Sequence, residues 1–379
     1  MNRIPVSSPA SVAVFRRILT HGPIGRVEVS RATGLSQAAV TKAVTPLIAA
    51  GFVVESEADR RGTAIGRPVS PLAVVHGRAH IVGVKVTAER SYGVLVDLGA
   101  NIVSRIEAVN RSSEVEDIVD VVRGIVEALG ADTTIDGIGV AVSGDVDRAR
   151  GVVRDSPLLG WRGVALAELL EAAIGAPVVV ENDVRALTVT EQFFGAGRDA
   201  DSFAVITIGT GIGCGLFLNE RIVNGSHGVA GEIGHLPLAP GDRVCSCGRR
   251  GCVEAVASTG AIVDQLRERL DDPSLDIGDV FRLAHEGEPA AVAAFATAGE
   301  VIGAALAALV NLTGPELVVI AGENVTEYAL YENRIRAAFA EHAFGAAADC
   351  RIVLRPHTFD DWARGAAVCV IEAIASGVV

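Results

Sequence analysis

The chain has 379 residues, half of them hydrophobic and 21% charged, which excludes a disordered protein and provides for at least two sizeable cores. Its net charge of -13 argues against nucleic acid as a partner of the whole chain, but the charge is unevenly spread. Residues 1–72 carry nine Lys/Arg against four Asp/Glu, a net of +5, and the remainder 24 against 42, a net of -18. A basic DNA-binding head on an acidic body would give that asymmetry. No apolar run of signal-peptide length follows Met1, and the longest apolar stretch, around Val301–Val310, is too short to span a bilayer. A cytoplasmic protein without a membrane partner is expected.

In chain order, Pro9 to Thr20 predicts a helix with Val12, Phe15, Ile18 and Leu19 on one face, ended by Gly22-Pro23. A second helix spans Arg26 to Thr33. Gly34 supplies a turn residue, and Ser36 can cap a third helix with apolar Val40, Val44, Leu47 and Ile48. Helix, glycine turn, helix is the helix-turn-helix pattern. With Val40, Val44 and Leu47 inside, Gln37, Ala38, Thr41, Lys42 and Thr45 face outward beside Ser36, short or polar as a major-groove helix requires. Pro46 predicts a kink. Residues 52–56 and 69–72 read as two strands around a loop holding Arg60, Arg61 and Arg67, a wing able to reach phosphates or a narrow minor groove. The head, residues 1–76, is therefore predicted to be a winged helix-turn-helix DNA-binding domain.

From Ala79 the texture becomes α/β. Strands are predicted at 80–87, 92–97, 101–109, 136–143 and 177–181, with helices at 114–129, 164–173 and 183–194. A second set starts with strand Phe203–Ile208 and includes a long helix near 289–312, a strand at 316–321 and a closing helix at 361–376. Residues 77–195 with 356–379 would form one lobe and 196–355 another, with a cleft for a small ligand.

The richest segment runs from Gly209-Thr210-Gly211-Ile212-Gly213-Cys214-Gly215 through Gly231-Glu232-Ile233-Gly234-His235 to Cys245-Ser246-Cys247-Gly248-Arg249-Arg250-Gly251-Cys252-Val253-Glu254. His235, Cys245, Cys247 and Cys252 supply one imidazole and three thiolates, a set that closes tetrahedral zinc with no open position. Such a Zn2+ is structural.

Segment 209–254 resembles the signature of the ROK family (repressors, open reading frames and sugar kinases), and the similarity extends over essentially the whole chain. The resemblance implies a two-lobed actin-like, ribonuclease H-like sugar-kinase fold behind the head. It implies sugar contacts from Asn182 and Asp183 in Glu181-Asn182-Asp183, Asp183 being the general base in the kinases, from Glu232, His235 and Glu254, and from the backbone near Gly144. Carboxylates and an amide suit a ring of hydroxyls. Taken without the family, Asp183 has a second reading, as a cap of the helix that follows it.

Two functions compete, a sugar kinase and a transcription factor that keeps the kinase body as a sensor. ROK kinases carry an Asp-x-Gly-Gly-Thr phosphate loop after their first strand. Here the aligned stretch is Lys85-Val86-Thr87-Ala88-Glu89, and the late glycine-rich adenosine loop reads Ala321-Gly322-Glu323-Asn324. Small residues that let a backbone approach phosphate are gone, and Glu89 would repel it. The expectation is a non-enzyme: a sugar-responsive regulator, most simply a repressor of carbohydrate genes, that binds operator DNA as a homodimer or homotetramer.

Overall fold

The computed structural model describes residues 4–56, 70–241 and 243–377. The chain falls into two compact units, 1–198 with 360–379, and 199–359.

The first unit opens with helices α1 (Pro9–His21), α2 (Arg26–Thr33) and α3 (Gln37–Ala49). The Ser8 hydroxyl accepts the Ser11 N–H to cap α1, and Pro9 takes the first helical position, where no N–H is needed. Gly34 ends α2 in the left-handed region, and the Ser36 hydroxyl accepts the Ala39 N–H at 3.2 Å to start α3. The buried face of α1 is Ser11, Val14, Phe15, Ile18 and Leu19. Val14 thus takes the place expected for Val12, because 11, 14, 15 and 18 share one helical face and Val12 lies at its edge. Helix α3 continues through Pro46, where a kink is expected from sequence, and the Ala50 N–H closes the last turn on the Pro46 carbonyl at 3.0 Å.

Strands β1 (Val53–Glu55) and β2 (Leu72–Val74) pair antiparallel. The second begins at Leu72 instead of ending there. Leu72 is fully buried and exchanges both backbone hydrogen bonds with Ile24, which fixes the start of the pairing. Arg60, Arg61 and Arg67 lie outside the described residues.

The body of this unit is a sheet of β3 (His80–Val86), β4 (Arg90–Asp97), β5 (Ile102–Val109), β6 (Gly137–Val142) and β10 (Val178–Asn182), in the order β10-β6-β3-β4-β5. Strands β3, β4 and β5 form an antiparallel meander, while β6 and β10 run parallel to β3. Helix α4 (Val115–Leu129) buries Ile118, Val122, Ile125, Val126 and Leu129, the 3.6-residue period that reveals it in the sequence. Between β6 and β10 lie β7 (Asp145–Asp147), β8 (Val152–Ser156), β9 (Trp161–Val164) and α5 (Leu166–Ile174). The small sheet β7-β8-β9 is absent from the sequence reading, since three- to five-residue strands rich in Asp and Arg carry little apolar alternation. Helix α6 (Asp183–Phe194) follows β10 directly, and α12 (Phe359–Ala375) ends the fold.

The second unit is built on β11 (Phe203–Ile208), β12 (Ile212–Leu218), β13 (Arg221–Ile222), β14 (Leu317–Gly322) and β15 (Arg351–Pro356), ordered β13-β12-β11-β14-β15. Helices α7 (Glu254–Ala257), α8 (Thr259–Leu270), α9 (Ile277–Glu286), α10 (Pro289–Thr313) and α11 (Ala329–His342) complete it. By length and composition α10 could cross a bilayer, being far longer than its apolar centre at 301–310 suggests. Phe295, Ile302, Leu306 and Val310 on α10 instead pack in the core of this unit with Ile206, Ile320, Tyr331 and Ile335.

Candidate functional site

In the first unit, the site residues gather at the carboxyl ends of the parallel strands, the usual ligand edge of such sheets. The register sets Lys85 of β3 opposite Ala141 of β6, and Ala141 opposite Glu181 of β10. Just beyond, the Asp183 Oδ2 accepts the Lys85 ammonium at 2.5 Å and the Ser143 hydroxyl at 2.7 Å. Its Oδ1 accepts the Val184 N–H at 2.9 Å. The ammonium also donates to the Ser143 oxygen at 3.0 Å and lies 5.8 Å from the centre of the Trp362 ring. Lys85 is 4% exposed and Asp183 8%. A buried charge must be paired to be tolerated, and here each neutralises the other.

Asn182, not Asp183, caps α6: its Oδ1 accepts the Arg185 N–H at 3.0 Å. Its Nδ2 donates to the Gly144 carbonyl at 2.9 Å, bringing three of the expected residues, Gly144, Asn182 and Asp183, together. Gly144 has φ +110, and a Cβ there would stand 2.3 Å from the Asp155 carbonyl oxygen, so only glycine fits. Behind them Glu181 is buried between Arg185 at 2.9 Å and Arg148 at 3.4 Å. Burial pushes its carboxyl above the usual range, even though both guanidiniums pull it down.

In the second unit, His235 ends a short 3-10 turn and the three cysteines follow on a loop. One ligand atom from each of His235, Cys245, Cys247 and Cys252 lies within 4.8 Å of the others. The Cys245 sulfur is 3.6 Å from His235 Nδ1, and the Cys247 and Cys252 sulfurs are 3.7 Å apart. Tetrahedral bonds of about 2.3 Å to sulfur and about 2.0–2.1 Å to nitrogen would space such donors roughly 3.6–3.8 Å apart. The four residues therefore fit one tetrahedral, thiolate-preferring metal ion. Among the described residues, Cys245 and Cys252 form a small buried cluster with Ala255. Burial pushes the Cys252 thiol up to about 12. At Cys247 it acts in the same direction, but hydrogen bonds from the Arg249 backbone and Cys245 bring that thiol down to about 7.

His235 turns its other nitrogen, Nε2, toward Glu232 Oε2 at 3.8 Å. Glu254 joins the metal loop to the glycine turn: its Oε1 accepts the Ser246 hydroxyl at 3.1 Å and its Oε2 accepts the Ile212 N–H at 3.2 Å. Glu232, His235 and Glu254 thus cluster with the cysteines, and Gly144, Asn182 and Asp183 belong to the other unit.

On the head, Ser36, Gln37, Ala38, Thr41, Lys42 and Thr45 are all exposed, while Val40, Ala43, Val44 and Leu47 are buried. The polar face of α3 is free to meet a partner. Sequence reasoning missed the pairing of Lys85 with Asp183, although a lysine where the resemblance implies an acid was its signal.

The sequence pattern that defines the ROK family matches residues 81–373. Over 339 residues the chain is 27% identical to the xylose repressor of Bacillus subtilis (strain 168), covering 87% of this chain and 86% of that one. Among solved structures, a ROK family transcriptional regulator, a homologue of the E. coli MLC protein, superposes with a TM-score of 0.82 at 26% identity, covering 97% of this chain and 96% of its own. A ROK family glucokinase from Streptomyces griseus, in complex with glucose and AMPPNP, gives 0.68 at 28% identity over 76% of this chain and 98% of its own. The α/β fold is thus the one shared by ROK regulators and ROK sugar kinases. The chain belongs to the ROK family.

Proposed function

We propose that this protein is a cytoplasmic DNA-binding transcription regulator, a repressor of carbohydrate genes, whose body binds a sugar or sugar derivative without phosphorylating it. The observation that carries this reading is the exposed polar face of α3 on a basic head that precedes the family match at residue 81. The regulator structure covers 97% of the chain and the glucokinase 76%. The head is read as a winged helix-turn-helix, residues 1–76, with β1 and β2 as its strand pair. Ser36, Gln37, Ala38, Thr41 and Lys42 meet bases and phosphates.

In the body, read as actin-like lobes 77–195 with 356–379 and 196–355, the residues read as sugar contacts are Gly144, Asn182 and Asp183 in one unit and Glu232, His235 and Glu254 in the other. Lys85 on Asp183 supports the non-catalytic reading. A general base must take a proton from a hydroxyl, and a carboxylate that already accepts an ammonium and a hydroxyl on one oxygen is a poor acceptor for another. Zinc is the ion that best suits one imidazole and three thiolates. When bound it ties the loop and leaves His235 Nε2 free for a sugar hydroxyl. A homodimer or homotetramer would present two heads to a palindromic operator, and the sugar would shift operator affinity by its differential affinity for two states.

A thermal-shift screen against monosaccharides and their N-acetyl and phosphate derivatives tests the sensor, since a ligand of the folded state raises its melting temperature. The matched sugar should also change retention of promoter DNA in a gel-shift assay. Phosphorylation of a hexose by the purified protein with ATP and magnesium would sink the reading.

A further inference from the structure

We propose that Glu323 is a built-in anion that fills the glycine turn Gly209–Gly215, so that the turn braces its own unit and is closed to the phosphates of a nucleotide. The inference rests on the non-catalytic reading of the body and assigns part of it to one residue.

A run of successive backbone N–H groups in a glycine-rich turn forms a concavity that favours an anion. In this turn the N–H groups of Gly209, Thr210, Ile212 and Gly213 are already committed. The Thr210 N–H donates to Glu323 Oε1 at 2.8 Å, and the Thr210 hydroxyl donates to the same oxygen at 3.0 Å. The Ile212 N–H goes to Glu254 Oε2 at 3.2 Å, the Gly213 N–H to the Thr207 hydroxyl at 3.2 Å and the Gly209 N–H to the Gly211 carbonyl at 3.2 Å.

The sheet delivers Glu323 to this place. Strand β14 runs parallel to β11 with Ala321 opposite Thr207, so the residues after the two strands emerge side by side. Gly322, at φ +109, turns the chain there. The carboxylate then enters the space left by the missing side chain of Gly209, where a Cβ would stand 2.2 Å from Glu323 Cδ and Oε1. Carboxylate-to-amide bonds of this kind are charge-assisted and stronger than neutral ones. An incoming polyphosphate would have to displace that carboxylate and then face Glu254, which holds the turn to the metal loop through Ser246. Like charges so placed repel, and four of the donors that would compensate are taken.

Inorganic tripolyphosphate is the probe, because it needs the turn alone and no adenosine pocket. Isothermal titration of the full-length protein with its metal retained should show no binding to the wild type at millimolar tripolyphosphate. Glu323→Ala should bind it at least about tenfold more tightly, and Glu323→Gln should lie between the two. Folding of each variant is checked by circular dichroism, and if the alanine variant does not fold, the glutamine variant carries the test. Equal affinity of wild type and folded variants, or a folded variant that gains no binding, overturns the role of Glu323. If that result comes without hexose phosphorylation, it leaves the non-catalytic reading standing. Hexose phosphorylation by the wild type overturns both.

Discussion

The Lys85 ammonium and the Asp183 carboxylate lie 98 residues apart in sequence and meet at 2.5 Å where β3 and β10 end on the same side of one sheet. Strand β6 stands between their strands and contributes Ser143 from just beyond its end, so that the hydroxyl accepts from Lys85 and donates to Asp183. Lys85 thereby couples the end of β3 to the first residue of α6.

Removal of one partner from a buried pair leaves the other charge uncompensated. Lys85→Met should lower stability by about 3–5 kcal/mol, and Lys85→Met with Asp183→Asn should recover most of the loss. Both tryptophans, Trp161 and Trp362, lie in the same unit as the pair. Tryptophan fluorescence during urea unfolding thus reports on that unit. A loss below about 1 kcal/mol, the range of solvated surface pairs, would show that the pair is screened.

Much of this site is legible in the sequence, and the illegible part has a physical cause. His235, Cys245, Cys247 and Cys252 lie within 18 positions and their donor chemistry names a metal without a fold. Ser36 announces α3 because capping is local. Asn182 and Asp183 both can cap a helix, and only the backbone decides that Asn182 does. Lys85 with Asp183, and Glu323 with Thr210, depend on the order of parallel strands, which no local period encodes. The small β7-β8-β9 sheet escapes for the opposite reason, its strands being too short and polar to show a period at all.

The metal loop should depend on its ion. Purified protein is expected to carry about one zinc per chain by elemental analysis, and Cys247→Ser should lower that content and the melting temperature together. Acidification should release the metal, because the ligands must be deprotonated to bind, and thiolate and imidazole protonate as pH falls. Unchanged metal content in Cys247→Ser would remove that residue from the ligand set.

On the head, Lys42 is exposed on α3 and is expected to contact phosphate. Lys42→Ala should weaken binding to DNA selected from a random pool and reduce the slope of log affinity against log salt by about 0.9. Its effect should be similar on every sequence, whereas Gln37→Ala should change sequence preference. Sugar affinity should stay the same in both. A salt slope unchanged by Lys42→Ala would place the DNA surface elsewhere.

Helix α6 gives the first unit a physical route between its two ends. It starts at Asp183, beside Lys85, and its other end carries Phe193, whose ring lies 5.1 Å from the Arg16 guanidinium of α1. Its 12 residues span roughly 18 Å. A displacement at Asp183 is expected to be carried to the first helix of the head. Phe193 is 1% exposed, so truncating it would also open a cavity; Arg16, half-buried, is the gentler change. Arg16→Ala should leave operator affinity without sugar, and sugar affinity without DNA, within about twofold, while the factor by which sugar changes operator affinity falls by about 0.5–2 kcal/mol of coupling free energy. Fluorescence anisotropy of labelled operator, titrated with protein at zero and saturating sugar, measures that factor directly. A variant with the full wild-type factor would show that the sugar acts on the heads by a path other than α6 and α1.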